Sequence, residues 1–114
     1  MAFTQQEETD IRKLMNDFID AMRPPEHIRP QLDYGYRLEG QHVFIFEIRP
    51  QLNKPEILRH SDFAKITYVR NTSVWKIYWM RGNLQWDAYP APPTGTLKAA
   101  LKLIDGDKYG CFYG

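Results

Sequence analysis

Apolar residues recur at three- and four-residue spacing from Thr4 to Met22: Ile11, Leu14, Met15, Phe18, Ile19 and Met22 form one stripe. Asp10, Arg12, Lys13, Asn16, Asp17 and Asp20 lie mainly outside it. That period predicts an amphipathic helix over about residues 5–22, with Thr4 and Glu7 spaced as a capping box at its start. Arg23 followed by Pro24 and Pro25 stops it, because the residue before a proline is pushed out of helical geometry. A second helix of about residues 95–105 is predicted by Leu97, Ala100, Leu101 and Ile104, with the Asp105 and Gly106 pair at its end.

Between the helices the period falls to two. Leu32, Tyr34 and Tyr36 alternate with Asp33, Gly35 and Arg37, and strands follow over Gln41 to Arg49, Asp62 to Arg70, Ser73 to Arg81 and Leu84 to Tyr89. Turns fall at Leu38 to Gly40, at Asn71 and Thr72, and at Gly82 and Asn83, while Pro50 to His60 reads as a loop and a candidate lid. The fold class is α+β: an antiparallel sheet of about five strands in a meander, over about residues 31–90, packed on one face by an N-terminal and a C-terminal helix. The whole of residues 1–114 reads as a single compact domain, with residues 109–114 as a docked tail.

Register decides what each face carries. A three-residue turn with Gly40 in the left-handed position sets Tyr34 opposite Phe44 and Leu32 opposite Phe46, whereas a two-residue turn would bury Asp33 or Arg37. Around Gly82 and Asn83, Trp79 falls opposite Trp86 and Ile77 opposite Ala88. The three tryptophans then join Tyr34, Tyr36, Phe44, Phe46 and Ile48 under the helices as core. The reverse face receives Val43, Ile45, Glu47 and Arg49, then Lys65, Thr67 and Val69, then Lys76, Tyr78 and Met80.

Charge adds little. Residues 1–22 hold five acids against two bases, residues 23–90 ten bases against seven acids, and the chain as a whole carries +1. A dedicated nucleic-acid domain is usually far more basic. No apolar run approaches a membrane span, and the acidic N-terminus has no secretory apolar segment, so a cytoplasmic protein with no membrane partner is expected. The single cysteine, Cys111, allows no internal disulfide, and it reads as a small residue buried in the tail rather than a nucleophile. His27, His42 and His60 lack metal-ligand spacing and no phosphate-binding glycine loop is present, so no metal, cofactor or catalytic residue is assigned.

The segments FEIRP at Phe46 to Pro50, WKIYWMR at Trp75 to Arg81, the downstream Trp86 and Tyr89, and GCFYG at Gly110 to Gly114 resemble the domain of unknown function 3024 family. The resemblance covers about residues 24–114 and implies a small bacterial protein with no assigned activity. The last motif departs from the GCFFG expected of the family by one hydroxyl, at Tyr113.

Three functions stay open. The leading one is a non-enzymatic interaction module that uses the mixed sheet face toward a protein partner or a second copy, as a homodimer. The second is nucleic-acid binding on the same face through Arg49, Lys65, Lys76, Tyr78 and Arg81, which with Glu47 make up the candidate binding residues. The third is an enzyme on a small acid or phosphorylated ligand, with Glu47 as base and Arg49 as anchor.

Overall fold

A computed structural model describes residues 2–113. Helix α1 (Gln5–Met22) precedes strands β1 (Asp33–Glu39), β2 (His42–Gln51), β3 (Lys54–Val69), β4 (Val74–Met80) and β5 (Trp86–Ala88), and helix α2 (Leu97–Gly106) follows. The five strands pair in chain order, all antiparallel.

Both helices form where the apolar stripes place them. Thr4 Oγ1 accepts from the Glu7 amide and Glu7 reaches back to the Thr4 amide, so the capping box is closed, and Arg23 turns extended ahead of Pro24. Ile11, Met15 and Ile19 from α1 and Leu97, Ala100, Leu101 and Ile104 from α2 enter one core with Val43, Ile45, Ala64, Ile66, Trp75 and Ile77 from the sheet. Helix α2 runs to Gly106, and Asp107 caps it in the left-handed region at φ 41°. The Asp107 carboxylate then accepts from the amides of Phe112 and Tyr113, which fixes the tail. Phe112 and half-buried Cys111 pack against the core.

The first hairpin corrects the expected register. Glu39 pairs with His42, so the turn has two residues, Gly40 and Gln41, with Gly40 at φ 57° in the first position as type II′ turns require. Tyr34 therefore lies opposite Glu47, and Tyr36 opposite Ile45. Val43 and Ile45 go under the helices, fully buried, while Phe44 and Phe46 turn to the open side with Arg37. The expected burial of Asp33 or Arg37 does not follow, because β2 and not β1 turns over: Arg37 stays on the open side, where both guanidinium Nη atoms reach Asp62 on β3, at 2.6 and 2.9 Å, with the side chain over Phe44, 4.3 Å from its ring centre.

The last hairpin is also shifted by one. Met80 pairs with Trp86 and Trp79 with Asp87, because the turn takes three residues, Gly82 to Leu84, with Leu84 left-handed at φ 63°. Trp75 and Trp79 remain with the core as expected, but Trp86 moves to the open face. The expected loop at Pro50 to His60 is instead the distal part of a long hairpin between β2 and β3. A bulge inserts Phe63 between the pairs Ile45 with Ala64 and Phe46 with Asp62, so Asp62 and Lys65 share a face despite their odd separation.

Gly35 sits beneath the Phe46 ring, and the His60 ring stacks on the other side of that ring at 4.7 Å. A methyl group at Gly35 would come within 2.8 Å of Phe46 Cε1 and Cζ. Gly35→Ala is expected to destabilise the protein by roughly 1–3 kcal/mol as an overpacked contact. A urea midpoint equal to that of the parent would show that the ring moves freely.

Glu7 also ties α1 to the β3–β4 turn through a two-point pair with Arg70 at 2.9 and 3.0 Å. That pair, with the Thr4 amide second, pulls its carboxyl from 4.5 down to about 2. A lowered folded-state value contributes stability above about pH 4.5 that is lost as pH falls toward 2. Acid titration of Glu7→Gln should therefore lack part of the unfolding that the parent shows over that interval. Superimposable acid limbs would contradict the coupling.

Candidate functional site on the open sheet face

The six residues expected to line one surface divide between two. Lys65, Lys76 and Tyr78 project from β3 and β4 on the open face. Glu47 and Arg49 lie on the helix side, and Arg81 stands at the base of the last turn, 3.7 Å from Asp87. The physical cause is the two-residue turn, which inverts β2 relative to β3 and β4.

The centre of the open face is the Lys65 side chain. Its ammonium lies 4.7 Å from the ring centre of Tyr78 and 5.1 Å from that of Trp86, and Trp86 in turn packs against Phe44 at 6.0 Å. Burial among these rings pulls the Lys65 pKa below its ordinary 10.5. Among the described residues it has no carboxylate partner, since the nearby acids Glu39 and Asp62 are both taken by Arg37. His42, on the same side, hydrogen-bonds Thr67 Oγ1 at 2.8 Å, and burial, then the charge of Lys65, pulls its pKa down. Lys76 is exposed beside them.

An unpaired, half-buried cation between aromatic faces can receive an anion, with flat groups stacking beside it. Phe44, Trp86, Arg37 and His42 belong to this cluster and were missed because the expected registers put Phe44 and Trp86 under the helices. The signal that could have found them is the Gly40 and Gln41 pair read as a two-residue turn, with Asp62 as partner for Arg37.

On the other side, Arg49 Nε donates to Glu47 Oε1 at 3.1 Å beside a cleft of about 150 Å³ lined by Tyr34, Phe63, Phe112 and Tyr113. The FEIRP and GCFYG segments thus meet in space. Arg49 is 57% exposed, and a solvated pair of this kind is an ordinary surface ion pair. Cys111 lies in the same tail with its thiol pKa raised, by burial first and then by Asp107 and Asp87, the opposite of an activated nucleophile. No group of three or more potential metal ligands occurs among the described residues, and no described helix is long and apolar enough to cross a membrane.

This arrangement defines a small α+β protein with a helix-covered meander and one bare, aromatic and cationic sheet face. The chain belongs to the family described as Domain of unknown function (DUF3024), which matches residues 3–114. No curated protein and no solved structure matches it.

Lys65 as a lone ammonium in an aromatic setting costs folding energy that a neutral side chain of similar length would not. Lys65→Met is expected to leave stability unchanged or raise it by up to about 1 kcal/mol in chemical denaturation. A clear loss of stability would mean that Lys65 has a structural partner after all.

Proposed function

We propose that this protein is a non-enzymatic binding module whose open sheet face takes single-stranded nucleic acid. The observation that carries the reading is Lys65, held without an acid partner between Tyr78 and Trp86 and next to Phe44. A phosphate supplies the missing countercharge, and unstacked bases supply flat surfaces for Trp86 and the neighbouring rings. Lys76 and Arg37 extend the cationic track, although Arg37 is largely spent on Asp62. The corrected register favours this reading over a plain protein interface, because it moves Phe44 and Trp86 out to join the cations. Backbone and stacking contacts of this kind carry little sequence preference.

The enzyme reading has less support. Glu47 and Arg49 neutralise each other, and they lie on the other side of the sheet from the cluster around Lys65.

The reading is tested by fluorescence polarisation of labelled oligo-dT and oligo-rU across a salt series. Two or three phosphate contacts predict a log–log salt slope between about −1.4 and −2.1. Trp86→Leu should weaken binding on the order of ten- to a hundredfold, and Lys65→Met should flatten the slope by about 0.7. No binding at low salt sinks the proposal and returns the face to a protein partner.

A further inference from the structure

The pairing of β1 reaches no further than Ile48 and that of β4 no further than Ala64, so β2 and β3 continue beyond them as a two-stranded ribbon. Within it Arg49 lies directly opposite Arg59, on the helix side, just as Glu47 lies opposite Ser61. Side chains opposed in this way hold their Cβ atoms about 5 Å apart, and like charges so placed repel. Arg59 is exposed and enters none of the ion pairs among the described residues. Arg49 meets Glu47 through Nε alone, at 3.1 Å, so neither of its Nη groups has a partner among the described residues. Glu47 offsets one of the two positive charges, and Glu56, further out on the ribbon, pairs with neither arginine.

At the foot of the ribbon, on the same side, Arg49 and Glu47 border the cleft of about 150 Å³. Tyr34 flanks Glu47 from β1, and the Phe63 ring packs against both Tyr34 and Tyr113, 6.0 Å from each. Although four of its six walls are aromatic, the cleft presents mainly polar atoms. The hydrogen bonds of Tyr34 and Tyr113 among the described residues are made by their amides, which leaves both phenol groups without a partner. Burial first, then Asp105, then Tyr34 push the Tyr113 pKa up to about 12, so its hydroxyl stays a donor through neutral pH. Asp105 is not part of the lining, and the Asp107 carboxylate is taken by the amides of the tail. Donors therefore outnumber the one acid, Glu47, around this opening.

We infer that Arg49 and Arg59 together grip the phosphate group of a small phosphate monoester at the mouth of this cleft. One arginine fork fills the two oxygens of a carboxylate, and a phosphodiester also has only two terminal oxygens. A monoester phosphate has three, enough to accept from two forks at once, and it relieves the repulsion between them. Tyr34 and Tyr113 are placed to donate to the ester side of the ligand. The cleft is well below the roughly 300 Å³ at which drug-sized ligands are held, so the body that enters it is a few atoms long. This site lies on the other side of the sheet from Lys65 and does not rest on the open-face reading.

Calorimetric titration at fixed ionic strength tests this, with glycerol 1-phosphate as the probe and inorganic phosphate, dimethyl phosphate and acetate beside it. Glycerol 1-phosphate should bind saturably at one site, inorganic phosphate more weakly because it has no body for the cleft, and dimethyl phosphate and acetate at least about tenfold more weakly. Arg59→Gln and Arg49→Gln should each weaken the ester at least about tenfold. Both side chains are exposed, and without ligand the urea midpoint of Arg59→Gln should equal or exceed that of the parent, because an opposed charge is gone. Absence of saturable binding overturns the inference. So does an affinity that Arg59→Gln leaves unchanged, or one that acetate or dimethyl phosphate matches. Equal affinity for inorganic phosphate overturns the assignment of an ester. Arg59→Gln should leave the binding of oligonucleotides without a terminal phosphate as it is in the parent, and a parallel loss would overturn the separation of the two sites.

Discussion

Arg37 holds the sheet in the register on which everything else depends. From β1 it crosses over Phe44 of β2 and reaches Asp62 of β3, joining three strands with one side chain. Asp62 and Glu39 hold its guanidinium firmly protonated. Slipping β1 against β2 by one residue would put Arg37 and Phe44 on opposite faces of the sheet and break the stack between them. Side chains alternate strictly, so such a slip is an exchange of faces and not a small adjustment. The Phe63 bulge completes the device by turning Asp62 to the side where Arg37 needs it.

The two sides of the sheet consequently do different work. Beneath the helices lies an aliphatic centre of Val43, Ile45, Ala64 and Ile66, closed by Met15 and Ile104, with aromatic side chains around its margin. The open side has aromatic rings instead, and several are covered by cations, Arg37 on Phe44 and Lys65 over Tyr78 and Trp86, while the His60 ring stacks on Phe46. Long cationic side chains shield apolar surface while keeping their charge near water. Such a face is stable in the free protein and still offers charge and flat surface to a ligand, a combination suited to binding without a closed pocket.

The tail and the ribbon show how local chemistry is redirected by its surroundings. Asp107 takes a left-handed conformation usual for glycine or asparagine, and its carboxylate offsets that by gathering the Phe112 and Tyr113 amides. Pro50 and Pro55 suggest a loop, yet both fall at or beside the irregular step between Pro50 and Gln51, where the ladder does not need every amide.

Helix positions, the start and stop of α1, the strand count and the meander order were legible in the sequence, because a stripe at 3.6 residues, a Thr4 with Glu7 box or a proline stop is set by neighbours a few residues away. Lys65, Lys76 and Tyr78 were also placed on the face away from the helices, since β3 from Ala64 onward and β4 keep an unbroken alternation toward the core. Phe44, Trp86 and the Glu47 with Arg49 pair were not, and all three failures have one source. Choosing between a two- and a three-residue turn depends on whether an arginine finds an acid twenty-five positions away, and on whether a leucine tolerates a left-handed backbone. The sequence by itself determined the elements and their order, because those follow from local periodicity and capping. Only the tertiary structure decided which face each aromatic and each charge would occupy, because strand register is set by partners that meet only when the sheet is assembled.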